Sequence, residues 1–593
     1  MWETTKTLRK LSHNMMKKII AAFLFIALSP FTDMMAAGNK TIYPVSLSDI
    51  YINGELRTRS LKNFDRLEES KYQPDNVFLT EKQSGGWPGD TEGRTILGLV
   101  MEAQASHREP RYLNEILRLL PAHLNKSGYM GTIYNGMLNE QELSGNGWLL
   151  RGLCEYYLWK KDKQVLPIIR SIAQNLFVAG KGLYKEYPID PALRQSQGGG
   201  ASGNISNTYH HWMLSTDIGC VFIGMDGAIQ AYSILHLPEL KEVIDEMINS
   251  FLSVDVVKIK AQTHATLTAC RGLIRYADIT GDNRYVDEVV KRWKIYKTDG
   301  MTECFGNYNW FDRYDTWTEP CAIVDSYMLA VQLWQHTGNS TYRDDAEQIY
   351  FNAIAHAQRV NGGFGCDNCP GLSSHCLNLQ PVIDEASWCC TMRGGEGLGR
   401  AASYAYFTDG SSVIIPFFHS SEATIHLSAN HSVSIAQTTD YPFDSKVILR
   451  ITHSNARRLS LRLAAPYWTT QPLLTLNGKK SKFKKINGFI ELRGSFKKGD
   501  VIAYTFKQDI HYENTLNKSN TQAGQFKVFY GPLLLAADSS ENAEIHRGDK
   551  LIKTDKFSFV KAGTRIRLVP VYQLLDPAVC TQNKANYHRQ VIF

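Results

Sequence analysis

Three short stretches hold the side chains best suited to chemistry: Thr302-Glu303-Cys304-Phe305-Gly306, Thr318-Glu319-Pro320-Cys321-Ala322 and Ser387-Trp388-Cys389-Cys390-Thr391. Glu319 and Cys321 form a Glu-x-Cys pair at the start of an apolar helical pattern. Cys389 and Cys390 are adjacent, just before another. Together they offer one carboxylate and three thiolates, a donor set that suits tetrahedral zinc. Sulfur-rich ligation favours Zn2+ over the oxygen-seeking Mg2+ and Ca2+. Helix N-termini would stabilise the thiolates through oriented N–H groups. The cysteine pair is open to other readings: a buried thiol pair, a vicinal disulfide, or two disulfides to other partners. Cys366-x-x-Cys369, followed by His375-Cys376, could be a second zinc knuckle, although a local disulfide suits an exported chain better.

Helical periodicity predicts the scaffold that must position these groups. Apolar residues at helical spacing cover 92–106, 143–159, 218–235, 265–279, 321–336 and 393–406. Between helices a punctuation recurs: Thr280-Gly281-Asp282-Asn283-Arg284-Tyr285, Thr337-Gly338-Asn339-Ser340-Thr341-Tyr342, and the shorter Arg108-Glu109-Pro110-Arg111-Tyr112. Gly or Pro ends one helix and Tyr opens the packed face of the next. Repeated hairpins of this size predict a closed (α/α)6 barrel, with an open solenoid as the alternative. After about residue 410, short β-branched or alternating runs (412–418, 423–427, 446–452, 460–464, 501–506, 526–536) predict an all-β sandwich region. The expected architecture is a multidomain α plus β chain: a leader over 1–37, an (α/α)6 barrel catalytic domain over 38–408, and a β-sandwich region over 409–593.

Bulk properties narrow the function. With 593 residues the chain is too long for one core. The net charge of +7 comes without a standout basic run, so a nucleic-acid partner has little support. Met16-Lys17-Lys18, the apolar run 19–28 and the small-residue zone Met34-Met35-Ala36-Ala37-Gly38 read as an export signal. The apolar run is too short to span a bilayer, so no integral membrane segment is expected. The expected location is periplasmic or secreted. The 11 cysteines, an odd count, sit awkwardly with a pure disulfide framework in an exported chain.

At these motifs the sequence resembles the zinc-dependent β-L-arabinofuranosidases of glycoside hydrolase family 127 and relatives such as family 146. The family's hallmarks are a Gly-Glu-x-Phe-Gly stretch, a Glu-Thr-Cys-Ala stretch sixteen residues on, and a later Cys-Cys pair. Here Glu303 and Glu319 have that separation, Phe305-Gly306 and Cys321-Ala322 stand in the matching places, and Cys389-Cys390 follow. Tyr530-Gly531-Pro532-Leu533 resembles the family's Arg-Gly-Pro-Leu turn. The resemblance implies an (α/α)6 barrel joined to β-sandwich modules. It also implies zinc held by Glu319, Cys321, Cys389 and Cys390, with Cys389 as nucleophile and Glu303 as general acid/base in a two-step retaining scheme.

Other contacts are expected around that centre. His264, in Thr263-His264-Ala265-Thr266, resembles the family's His-Ala-Asn-Thr helix start, without the Asn; it would bond sugar hydroxyls or orient a carboxylate, or serve as a core histidine. Trp87 lies where the family places a substrate loop, with Asp90 and Glu92 nearby to bind hydroxyls. His210 and His211, in Tyr209-His210-His211-Trp212, offer sugar contacts or a packed loop. Departures are clear: Thr391-Met392-Arg393 follows the cysteine pair where the family has Pro-Pro-Asn. Arg393 is read either as a partner for an acidic sugar or as a helix-surface residue. The substrate is an oligosaccharide or polysaccharide, and a homodimer is left open. Competing functions are a non-catalytic glycan-binding protein and a carboxylate-based glycosidase or lyase on the same barrel.

Overall fold

Among the described residues, six inner and six outer helices build a double-layered ring. The computed structural model describes residues 40–78, 86–200, 202–370, 378–515, 524–538, 543–556, 558–577 and 588–593. The leader region 1–37, His375, Cys376 and Cys580 therefore lie outside the described residues.

Six helices form an inner ring: Asp90–Ser106, Glu140–Lys160, Val221–Leu235, Thr263–Thr280, Pro320–Thr337 and Cys390–Ser403. Each packs on the next, and the last packs on the first, so the ring closes. Gly54–Leu67, Leu113–Leu119, Leu166–Ile172, Pro238–Ser253, Arg284–Asp299 and Ser340–Ile349 form the outer layer. The inner helices are buried on nearly every face, whereas the outer ones bury a single stripe. Glycines let inner backbones touch. A Cβ on Gly93 would lie 2.2 Å from the Leu149 nitrogen, and one on Gly147 2.5 Å from Gly224 Cα. The punctuation seen in the sequence is physical. Gly281 (φ 74°) and Gly338 (φ 66°) terminate their helices in the left-handed region, where glycine carries no Cβ penalty. His107 (φ 54°) takes that position before Arg108.

Strands dominate from Phe407 onward. Two sheets bury their inner faces in the same hydrophobic core as the barrel. Two short N-terminal strands belong to these sheets: Tyr43–Pro44 pairs with Phe407–Thr408, and Ile50–Ile52 with Ser421–Ser428. A third sheet reaches back into the barrel. Its C-terminal strand Arg589–Gln590 pairs with Asn378–Ile383, which pairs in turn with Cys366–Asn368. The start and the end of the described chain thus clamp the helical ring. No helix among the described residues is long and apolar enough to cross a membrane.

Candidate active site

A cavity of about 430 Å³ opens at one mouth of the ring. Its wall draws on the N-terminal ends of five inner helices: Asp90, Thr91 and Arg94; Ile223; His264; Glu319; and Cys389 with Cys390.

Glu319 is the residue preceding the helix Pro320–Thr337, and Pro320 starts it without a missing hydrogen bond. The Glu319 carboxylate does not cap its own helix and is free to face the cavity. Cys389 occupies the equivalent position before Cys390–Ser403. The Sγ atoms of Cys321, Cys389 and Cys390 lie within 4.8 Å of one another, and a ligand atom of Glu319 lies within 4.8 Å of Cys321 and His264. Cys389 and Cys390 sulfurs are 3.4 Å apart, and Cys321 and Cys390 sulfurs 3.7 Å apart. Zinc–sulfur bonds of about 2.3 Å set the edge of a tetrahedron at about 3.8 Å, so the spacing fits a shared cation. Burial, and then the contact with Cys389, push the Cys321 thiol well above its ordinary value, against the opposing pull of Cys390 and Arg94. For Cys389 the Cys321 bond favours the thiolate, but Cys390 and burial outweigh it and push the thiol up. Thiols so placed hold their protons until a cation offsets the charge.

Neighbouring residues orient the donors. His264 Nδ1 lies 3.2 Å from Glu319 Oε1, and its Nε2 lies 3.4 Å from Asp325 Oδ2. Burial opposes charge on His264, but Glu319 and then Asp325 outweigh it and hold its pKa above the usual histidine value. The Glu319 backbone N–H donates to Asn307 Oδ1 at 2.8 Å, which ties this end of the helix to the turn holding Glu303. Arg94 donates from Nη1 to Cys321 Sγ at 3.2 Å and from Nε to Asp90 at 2.8 Å. Its guanidinium lies over Trp148, 4.3 Å from the ring centre. Asp217 lines the cavity and accepts from Ser202 Oγ at 2.9 Å and from the Gly203 N–H at 3.1 Å. Burial, and then the Glu319 charge, push Asp217 up to about 7.

Glu303 sits at the tip of a tight turn closed by hydrogen bonds between Thr302 and Gly306, with Phe305 at φ 64°. Its Oε2 lies 3.0 Å from Lys527 Nζ, a buried lysine on a strand of the third sheet that also lies over the Phe305 ring. Glu303 is not among the cavity-lining residues.

The other sequence candidates divide. Trp87, Asp90 and His264 line the cavity. His210 and His211 do not: they form the exposed tip of the hairpin Ile205–Tyr209/Trp212–Ser215, where His211 Nδ1 meets Gly136 O. Buried Trp212 anchors the hairpin against Tyr184 and Tyr187. Glu92 is buried away from the cavity wall. Arg393 is neither a pocket residue nor a surface one. It is fully buried inside the ring, bonded to Asp325 and Glu396. Cys366 is a free thiol, so no Cys366–Cys369 bridge forms, and it faces the cavity within hydrogen-bonding reach of Cys390. Sequence reasoning missed Arg94, Asp217, Trp317, Trp388 and Lys527. A signal existed for Arg94, four residues after Asp90 on one helix face, and for Trp388, beside the cysteine pair.

Residues 234–402 match the model of the β-L-arabinofuranosidase GH127 catalytic domain, and residues 412–508 match that of its middle domain. Among solved structures, a GH127 β-arabinofuranosidase is similar over 94% of this chain and 98% of its own, with TM-score 0.71 and 14% identity. A GH127 β-L-arabinofuranosidase from Geobacillus stearothermophilus is similar over 92% and 99%, with TM-score 0.66 and 13% identity. No curated protein sequence matches. A closed helical ring, a pocket at its mouth and these matches define a glycoside hydrolase with a sheet-rich C-terminal region. Residues 234–402 and 412–508 match the catalytic and middle domains of glycoside hydrolase family 127.

Proposed function

We propose that this hydrolase releases a terminal β-L-arabinofuranosyl group, or a related furanose, from plant-derived glycans outside the inner membrane, with retained configuration. The observation that carries the reading is the convergence of three thiols and Glu319 at the cavity wall. Glu319, Cys321, Cys389 and Cys390 would hold zinc, which, when bound, keeps the thiolates deprotonated at neutral pH. Cys389 is the half-buried residue of the three and lines the cavity, which supports its role as the nucleophile. Its thiolate attacks the anomeric carbon while Glu303 gives a proton to the departing oxygen. Glu303 then takes a proton from the water that displaces sulfur, and the sugar leaves. Glu303 bonds Lys527 in the structure described, so this role requires the 302–306 turn to swing its carboxyl toward a bound sugar. Trp87, Trp317 and Trp388 offer faces for sugar rings at the rim.

The test combines metal analysis with sugar release from arabinose-bearing glycans. We expect about one zinc per chain and a fall of more than about tenfold in turnover for both Cys389→Ala and Glu303→Gln. Near-native turnover in either variant rejects that residue's role. A carboxylate-only hydrolysis is the second reading, favoured by Asp217, whose raised pKa suits an acid. Under it, Cys389→Ser stays active and Asp217→Asn does not.

A further inference from the structure

Four anionic donors around a divalent cation leave an excess of two negative charges. Cys321 and Cys390 are almost wholly buried and Glu319 is 9% exposed, so that excess must be met by nearby fixed charge. One permanently charged group touches a donor sulfur directly. Arg94 is buried, lines the cavity and donates to Cys321 Sγ at 3.2 Å. It is held from two sides, by Asp90 at 2.8 Å and by the Trp148 ring at 4.3 Å. The same ring carries Arg393 at 4.4 Å and stacks with His264 at 5.8 Å, so the indole braces the cationic side of the site.

The contact is also asymmetric. The guanidinium bonds Cys321, a fully buried sulfur, and no guanidinium bond to Cys389 is seen among the described residues. A charged hydrogen bond withdraws electron density from the sulfur that accepts it. We infer that Arg94 is the positioning residue that sorts the three sulfurs, fixing Cys321 as a permanent ligand and leaving Cys389 as the reactive one. This rests on the reading of the four donors as a zinc site. Lysine would supply the charge without the forked, ring-stacked geometry, and glutamine would supply neither.

The experiment uses the full zinc-loaded chain. Zinc release to a chelator is timed in the wild type, Arg94→Gln, Arg94→Lys and Arg400→Gln. The last removes a guanidinium that bonds Glu155 in the same ring, and so controls for lost stability. Iodoacetamide labelling of the zinc-loaded proteins, mapped by mass spectrometry, reports which cysteine reacts first. We expect Arg94→Gln to shed zinc at least about tenfold faster than wild type, the scale seen when a group orienting a metal ligand is lost. Arg94→Lys should fall between, and Arg400→Gln should match wild type. Labelling should be confined to Cys389 in wild type and spread to Cys321 in Arg94→Gln. Unchanged release and labelling in Arg94→Gln, or equal zinc loss in Arg400→Gln, overturns the inference. Should Arg94→Gln not fold, Asp90→Asn, which frees the guanidinium from its anchor, must show the same direction of change or the inference fails. A wild type that takes up no zinc overturns the site reading and this inference together. A wild type that binds zinc beside an Arg94→Gln that binds it equally overturns this inference alone.

Discussion

Replacing Asp325 with asparagine tests how the buried charges below the site are held. Asp325 is fully buried and bonds Arg271, Arg393, Thr268 and His264. Burial opposes its charge, yet Arg393 and then Arg271 hold its carboxyl far below the usual range. Asp325→Asn keeps size and shape but leaves both guanidinium groups to share Glu396. Breaking a buried pair from one side costs about 3–5 kcal/mol. Asparagine still accepts one hydrogen bond, so the lower end, about 3 kcal/mol, is expected. At an unfolding entropy of about 2.1 cal/mol/K per residue, a unit of several hundred residues then loses about 3–4 °C in Tm. A group with a depressed pKa contributes stability above its unfolded value, about 3.9, and loses it as pH falls through the folded value. Between pH 5 and 8 the deficit should therefore be constant as far as Asp325 is concerned. Calorimetry against Asp282→Asn, which breaks an exposed pair with Arg284 and should not shift Tm measurably, is the assay. An Asp325→Asn protein melting within about 2 °C of wild type would refute the claim that this network is a stability element.

Two other outcomes follow from the site. In metal-free protein, Asp217 has its folded pKa at about 7 against about 3.9 unfolded, so the unfolded chain releases its proton first and stability declines as pH rises between those values. Asp217→Asn should melt like wild type at pH 4 and higher at pH 8, by up to about 4 kcal/mol in stability; a difference that does not grow with pH counts against it. Lys527→Met removes the ammonium bonded to Glu303 across two buried side chains and should cost about 3 kcal/mol. In a double-mutant cycle Glu303→Gln should recover part of that loss, and strict additivity would show that the pair is not coupled.

Much of the helical architecture is legible in the chain because its signals are local. Glycine at 281 and 338 marks helix ends through backbone conformation, and apolar spacing marks which face packs. Sheet partnership is not local. Nothing in the residues around Tyr43, Ile50 or Cys366 states that Phe407, Ser421 or Arg589 will be their neighbours or the next strand over. The segment 366–369 read as a cysteine cluster because spacing was the only information; the structure instead makes it a strand that delivers Cys366 to the cavity. His210 and His211 show the converse: residue type suggested a sugar contact, and only the fold reveals that the hairpin sets both on its exposed tip, off the cavity wall.

The Glu-x-Cys and Cys-Cys stretches at the cavity were legible, whereas Arg94, Asp217 and Lys527 were not, and the fold gives the reason. Helix N-termini from five inner helices open on one mouth, so partial positive charge is concentrated there. Carboxylates near helix starts, such as Asp90 and Glu319, gain from that field whatever their later use, and a thiol such as Cys389 gains if it ionises. A motif of carboxylates and thiols before helices is thus the part of the site that sequence can display. The same clustering creates negative charge beyond what the helix ends offset, and the remainder must come from wherever the third dimension permits. Arg94 comes from the first turns of a neighbouring helix. His264 is braced from below by Asp325. Lys527 arrives from a sheet more than two hundred residues downstream of Glu303. These partners answer to the electrostatics of the assembled mouth rather than to any spacing along the chain.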